Sequence, residues 1–234
     1  MDEKKFAEHL DKGRTYLSQL LNNKTSVKLD VYQNTLNWFK VFKDELKESV
    51  ELIRKDIPDA RVRLRVIEKG DTDVELYIGS DAIVFSMHTN IFQLDANSYS
   101  SRTSYVQQNP MNGYCGIINV YNFLADSYEY NRLHDVGYLI SRIFINRESH
   151  FLIEGKGQLG FIYKDFMHQI LSKEIIQDII LRLSIHAVDF DLYTPPYKAV
   201  QKATVQDLRN LNHSSKLKTG KRLGFKFESR ENIT

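Results

Sequence analysis

An α+β fold built on an antiparallel sheet is the architecture this sequence predicts, and three observations predict it. Residues 3–22 and 30–57 carry apolar side chains at helical spacing. Residues 61–88 switch to a period of two, punctuated by Gly70 and Gly79. Short runs rich in β-branched and aromatic residues then recur between 115 and 163, and a long apolar stretch at 165–190 closes the pattern. The expected assembly is an antiparallel sheet of about six strands, with two N-terminal helices and a long C-terminal helix packed on it. The chain has 234 residues, enough for one large domain with appendages. The expected division is an N-terminal helical hairpin at 1–58, an α+β core at 59–194 and a basic tail at 195–234.

Phe6, Leu10, Leu17, Leu20 and Leu21 form the first amphipathic stripe, and Asn22-Asn23-Lys24 is expected to break it. Asp30 offers an N-cap. Tyr32, Leu36, Phe39, Leu46, Val50, Ile53 and Ile57 follow at steps of three, four or seven, and Pro58 stops the pattern. Such a helix is roughly 40 Å long, more than a compact domain needs. It either folds back on the 3–22 helix or meets a second subunit, so a homodimer through residues 30–57 is expected.

In 61–66, Arg61, Arg63 and Arg65 alternate with Val62, Leu64 and Val66. Residues 73–79 and 82–88 continue as second and third strands of a meander with one wet face. The arginines belong to that face, paired across strands with acids such as Glu75. Residues 115–124 make a fourth strand, in which Asn119 and Asn122 interrupt an apolar run. Buried amides must be hydrogen-bonded, so these two either tie down a loop or face a pocket. Tyr138–Asn146 and His150–Glu154 form a hairpin. A three-residue loop sets Arg142 opposite Glu154. Gly155-Lys156-Gly157 leads into a last strand at 159–163, and the 165–190 helix, with Asp165 as its cap, lies across the sheet.

Residues 89–114 differ from everything around them. Ser, Asn, Gln, Thr and Tyr dominate, without periodicity. A stretch of this length is a binding loop, a lid or a surface excursion. Tyr99, Tyr105, Tyr114 and Arg102 suit a planar or anionic ligand. Arg102, Tyr105, Asn119, Tyr99 and His88 form the candidate ligand-binding set. Residues 137–163 would floor such a site, and 89–114 would carry its specificity.

Searches for chemistry exclude more than they find. There is no phosphate-binding glycine loop, dinucleotide fingerprint, paired-cysteine zinc pattern or nucleophile elbow. Pro58-Asp59 followed by Glu68-Lys69 lacks the spacing of a metal nuclease, because adjacent strand residues point to opposite faces. The seven histidines are scattered, and no metal or cofactor is expected. Cys115 beside an apolar run reads as a buried hydrophobe. The one cysteine, the charged N-terminus and the lack of any run of about 18 apolar residues lead to the expectation of a cytoplasmic protein with no membrane partner.

Charge is unevenly spread. Residues 198–234 hold nine Lys/Arg against three Asp/Glu, so the tail carries +6 and the rest of the chain −4 of the overall +2. Within it, RLGFKFES has a period of two. Lys221, Arg222, Phe225 and Phe227 are the candidate partner-binding residues, for a protein or nucleic acid.

In its order of elements over residues 30–190, the chain resembles the GAF/PAS class of sensor domains, which implies a sensor-type architecture. The function expected is a non-catalytic sensor or interaction module binding a small ligand or a partner protein under the 89–114 loop. Two alternatives stand beside it. One is an accessory subunit of a nucleic-acid-acting assembly attached through the basic tail. The other is a hydrolase or nuclease assembled from His88, Asp95 or the Arg182/His186 pair.

Overall fold

The computed structural model describes residues 3–133, 135–155, 158–190, 196–202 and 204–205. The partner-binding candidates Lys221, Arg222, Phe225 and Phe227 lie outside them, as does most of the basic tail. Helices stand against an antiparallel sheet of seven strands: β1 (Leu64–Glu68), β2 (Asp73–Ile78), β3 (Asp81–Met87), β4 (Phe92–Gln93), β5 (Tyr114–Leu124), β6 (Tyr138–Ile145) and β7 (Phe151–Gly155). The spatial order is β1-β2-β3-β5-β6-β7, and β4 pairs with the start of β5. The α+β expectation holds. The seventh strand is the two-residue β4, too short for a period of two to reveal.

The inner face of the sheet carries the main core. α2 (Ser26–Lys55) and α6 (Lys173–Asp189) bury Phe39, Phe42, Leu46, Ile176, Ile179, Ile180 and Leu183 against Leu76, Phe85, Ile118, Ile143 and Ile153. Each such side chain contributes about 1.5–3 kcal/mol on leaving water. The long stripe read at 30–57 is therefore occupied mainly by the chain's own sheet. Among the described residues of α2, Leu29 and Leu52 are its exposed large hydrophobics. Arg54 donates to the carbonyls of Val62 and Leu64 at 3.1 and 2.9 Å, which ties α2 to the sheet's edge strand and blunts it. α2 crosses β5 at Gly116, where Thr35 leaves no room for a side chain.

Four expectations are corrected. The N-terminal hairpin does not form. α1 (Glu3–Leu20) runs through a π turn at Leu21–Thr25 into α2, with helical backbone angles on both sides. No Gly or Pro lies between Arg14 and Ile57, so Asn22-Asn23 is absorbed as a bulge rather than a stop. The expected strand at 159–163 is the short helix α5 (Leu159–Ile162). Leu159 and Tyr163, four residues apart, are buried together while Phe161 is 74% exposed, the spacing of a helix turn.

The 165–190 helix begins only at Lys173, capped by Ser172, whose Oγ accepts from the Ile175 N–H. Phe166 packs on the outer face of the sheet with Cys115, Phe144 and Leu152, whereas Ile176 packs on the inner face. No straight helix reaches both, so the chain rounds the β7 edge first. Asp165 instead pairs with His168. Finally, Arg63 and Arg65 do not pair with Glu75. Arg63 binds Asp126 and Glu129 at 2.9 and 3.2 Å, and Arg65 stacks over Tyr77. Glu75 accepts from Tyr77 instead. α4 (Ala125–Glu129) folds down onto this wet face and brings the acids with it.

Residues 89–114 also have structure of their own. Besides β4 they hold α3 (Ser104–Gln108) and two short 3-10 turns, and they bury Val106 against Cys115, Ile117 and Phe166. Burial pushes the Cys115 thiol up, in keeping with a packing role. No helix of the described residues is long and apolar enough to cross a membrane.

Candidate functional site

The hairpin of β6 and β7 turns through Arg147-Glu148-Ser149, with Ser149 at φ 66°. Asn146 N–H donates to the His150 carbonyl at 3.0 Å. That loop length sets the register Arg142↔Glu154, and the two side chains form an ion pair, as the sequence predicted. Pairing of β5 with β6 places Asn119 opposite Arg142 and Ile117 opposite Phe144. Two cross-strand rows result on the outer face. One is polar, Asn119–Arg142–Glu154. Beside it lies an apolar row, Ile117–Phe144–Leu152. Because side chains alternate along a strand, both rows face the same side.

Residues 88–100 arch over these rows and enclose a cleft of about 400 Å³. Its walls come from His88, Phe92, Gln93, Leu94, Asp95, Ser98 and Ser100. β4 and a bond from the Leu94 N–H to the Gly113 carbonyl, at 2.9 Å, hold this arch to β5. His88 packs edge-on against Phe92, with ring centroids 4.8 Å apart. Its Nδ1 accepts from the Asn90 N–H at 2.9 Å, so the neutral ring carries its proton on Nε2. Asp95 Oδ1 accepts from the Asn97 N–H at 2.7 Å in a local turn. The half-buried Asn119 side-chain amide makes no hydrogen bond among the described residues and lines the cleft.

Of the five ligand-binding candidates, His88 and Asn119 meet in this cleft. Arg102 and Tyr99 do not; both are exposed, Tyr99 by 77%. Tyr105 belongs to a separate, half-buried network. Its hydroxyl donates to Glu148 at 2.6 Å and accepts from Asn146 Nδ2 at 2.9 Å, and its ring stacks on His150. Burial, and then the Glu148 carboxylate, raise its pKa. Asn146, fully buried, also accepts from the Glu148 and His150 N–H groups. Asn122 ties down Asp81 rather than facing a pocket.

Arg142 and Glu154 are the cleft residues that sequence reasoning assigned to structure alone. Their pairing was legible, but the placement of Arg142 opposite Asn119 depends on the β5–β6 register. Arg182 is held by Asp178 at 2.7 Å and Gln158 at 3.0 Å, so its guanidinium is engaged within the fold. Among the described residues, no group of three or more His, Cys, Asp or Glu is placed to hold a metal ion. Comparison with protein families, with curated proteins and with solved structures finds no match to the chain.

Proposed function

We propose that the chain is a binding module, with the outer-face cleft as its ligand site. The observation that carries this reading is the uncommitted Asn119 amide, set beside the Arg142–Glu154 pair on an apolar floor under a polar arch. A few convergent polar groups on an apolar lining are what small-ligand sites present, and the volume falls within their usual range of about 300–1,000 Å³. The arch joins the sheet through a two-residue strand, which suits a cover that admits a ligand from the side.

The test is recovery of what the native chain retains. Full-length protein and an Asn119→Leu/Arg142→Ala variant would be purified without denaturant, extracted and analysed by mass spectrometry. In parallel, a fragment library would be titrated while backbone amides are followed by NMR. A small molecule retained by the wild type and lost from the variant supports the reading, as do fragment-induced shifts on β5–β7 and residues 88–100. An empty wild-type extract together with no shifts at those residues overturns it.

A further inference from the structure

The chemistry lining the cleft narrows what it binds. Its fixed cation, Arg142, is already neutralised by Glu154, and Asp95 adds a negative charge to the wall. A phosphate or carboxylate entering here would meet two acids and no uncommitted cation. An uncharged ligand avoids that repulsion. The free Asn119 amide offers a donor beside an acceptor, the arrangement that engages an adjacent donor and acceptor on a heterocycle edge through two parallel hydrogen bonds. Next to it, the largely buried Ile117, Phe144 and Leu152 add apolar edges, with the Arg142 guanidinium over the Phe144 ring, and the exposed Phe92 ring stands with His88 at the wall. His88 has only Nε2 left to reach a ligand, as a donor in the neutral ring. At about 400 Å³ the cleft takes a bicyclic ring with a small substituent rather than an extended chain.

We infer that this cleft takes an uncharged planar heterocycle of nucleobase or nucleoside size, its donor–acceptor edge on Asn119 and its ring against Phe92 and His88, and that it discriminates against phosphorylated forms. The inference rests on the cleft being a binding site, and its test separates the two ideas.

Full-length protein would be titrated calorimetrically with adenosine and with adenosine monophosphate, with NMR mapping of the shifted amides. Adenosine is expected to bind with shifts on β5–β7 and to bind at least tenfold more tightly than the monophosphate. Asn119→Asp, which keeps the shape but replaces the amide donor with an acceptor, is expected to weaken adenosine at least tenfold with an unchanged melting temperature. Leu181→Ala, at an exposed site on α6 on the opposite side of the sheet, is the control and should leave binding as it was. Equal or tighter binding of the monophosphate overturns the inference. So does adenosine binding that ignores Asn119→Asp. Shifts at the cleft from other fragments, with none from adenosine, reject the ligand class and keep the site; no shifts from any compound reject both.

Discussion

Gly116→Ala should be among the most damaging single-methyl additions in this protein. A Cβ at Gly116 would overlap the Thr35 hydroxyl and stand 2.8 Å from both Thr35 Cβ and Cγ2. Thr35 is fully buried and β-branched, and its hydroxyl is fixed by donation to the Val31 carbonyl at 2.7 Å. It has little rotamer freedom with which to yield. Overpacking a closed core costs about 1–3 kcal/mol, occasionally more. Replacing a strand glycine by alanine returns about 0.5–1 kcal/mol of chain entropy at most, so with overpacking at the upper end, about 3 kcal/mol, a net loss of about 2–2.5 kcal/mol is expected.

Thr35→Ala removes Oγ1 and Cγ2 and leaves only the Cβ contact to relax. In that background Gly116→Ala should cost about 1 kcal/mol, for a coupling of about 1–2 kcal/mol. Urea unfolding of the four proteins, followed by far-UV circular dichroism, measures this directly. A cost below about 0.5 kcal/mol, or the same cost in both backgrounds, would refute the close crossing of α2 over β5. Since Gly116 precedes Ile117 and Asn119, the same variant should also shift the NMR signals of the cleft floor.

Asn146→Ala should cost about 3 kcal/mol or more in urea unfolding, because it strips hydrogen bonds from two backbone N–H groups and from Tyr105 in a buried setting; a loss under about 1 kcal/mol would show that the network is not closed. Tyr163 is pushed up to about 12 by burial and by its hydrogen bond to Asp178. The fold favours the neutral phenol, so this contribution is fully present below pH 10 and is lost as the pH rises towards 12. Wild-type stability should therefore fall more steeply than that of Tyr163→Phe between pH 9.5 and 11.5, and parallel curves would contradict the assignment. Burial pushes the Asp178 carboxyl up, but hydrogen bonds from Arg182 and Tyr163 outweigh it and hold it below its ordinary range. Its contribution is present above the unfolded value and declines as the pH falls through the folded one, so Asp178→Asn should flatten the acid limb of the stability curve. For the basic tail, nucleic-acid affinity that falls steeply with salt and vanishes on deleting 198–234 would mark an electrostatic attachment segment; binding untouched by the deletion would remove the tail from that role.

What the sequence determined by itself was local and periodic. The meander at 64–87 and the β6–β7 hairpin are encoded by neighbours in the chain. A three-residue loop and a period of two suffice to place Arg142 opposite Glu154, because a one-residue slip would turn Ile153 outward and orphan both charges. The apolar stripes of α2 and α6 were equally legible. Tertiary structure decided whatever required two distant segments to choose a face. Phe166 and Ile176 share one apolar pattern, yet they pack on opposite sides of the sheet, and that choice shortens α6. Asp126 and Glu129 take Arg63 and Arg65 from the partner expected in the neighbouring strand, because α4 folds onto that face. Asn119, His88 and the Arg142–Glu154 pair become one cleft only through the register of β5 on β6 and the arch over it. Periodicity is a property of adjacent residues and reports which side of an element is apolar; only the packed sheet sets which elements lie beside one another, and the cleft exists at that level alone.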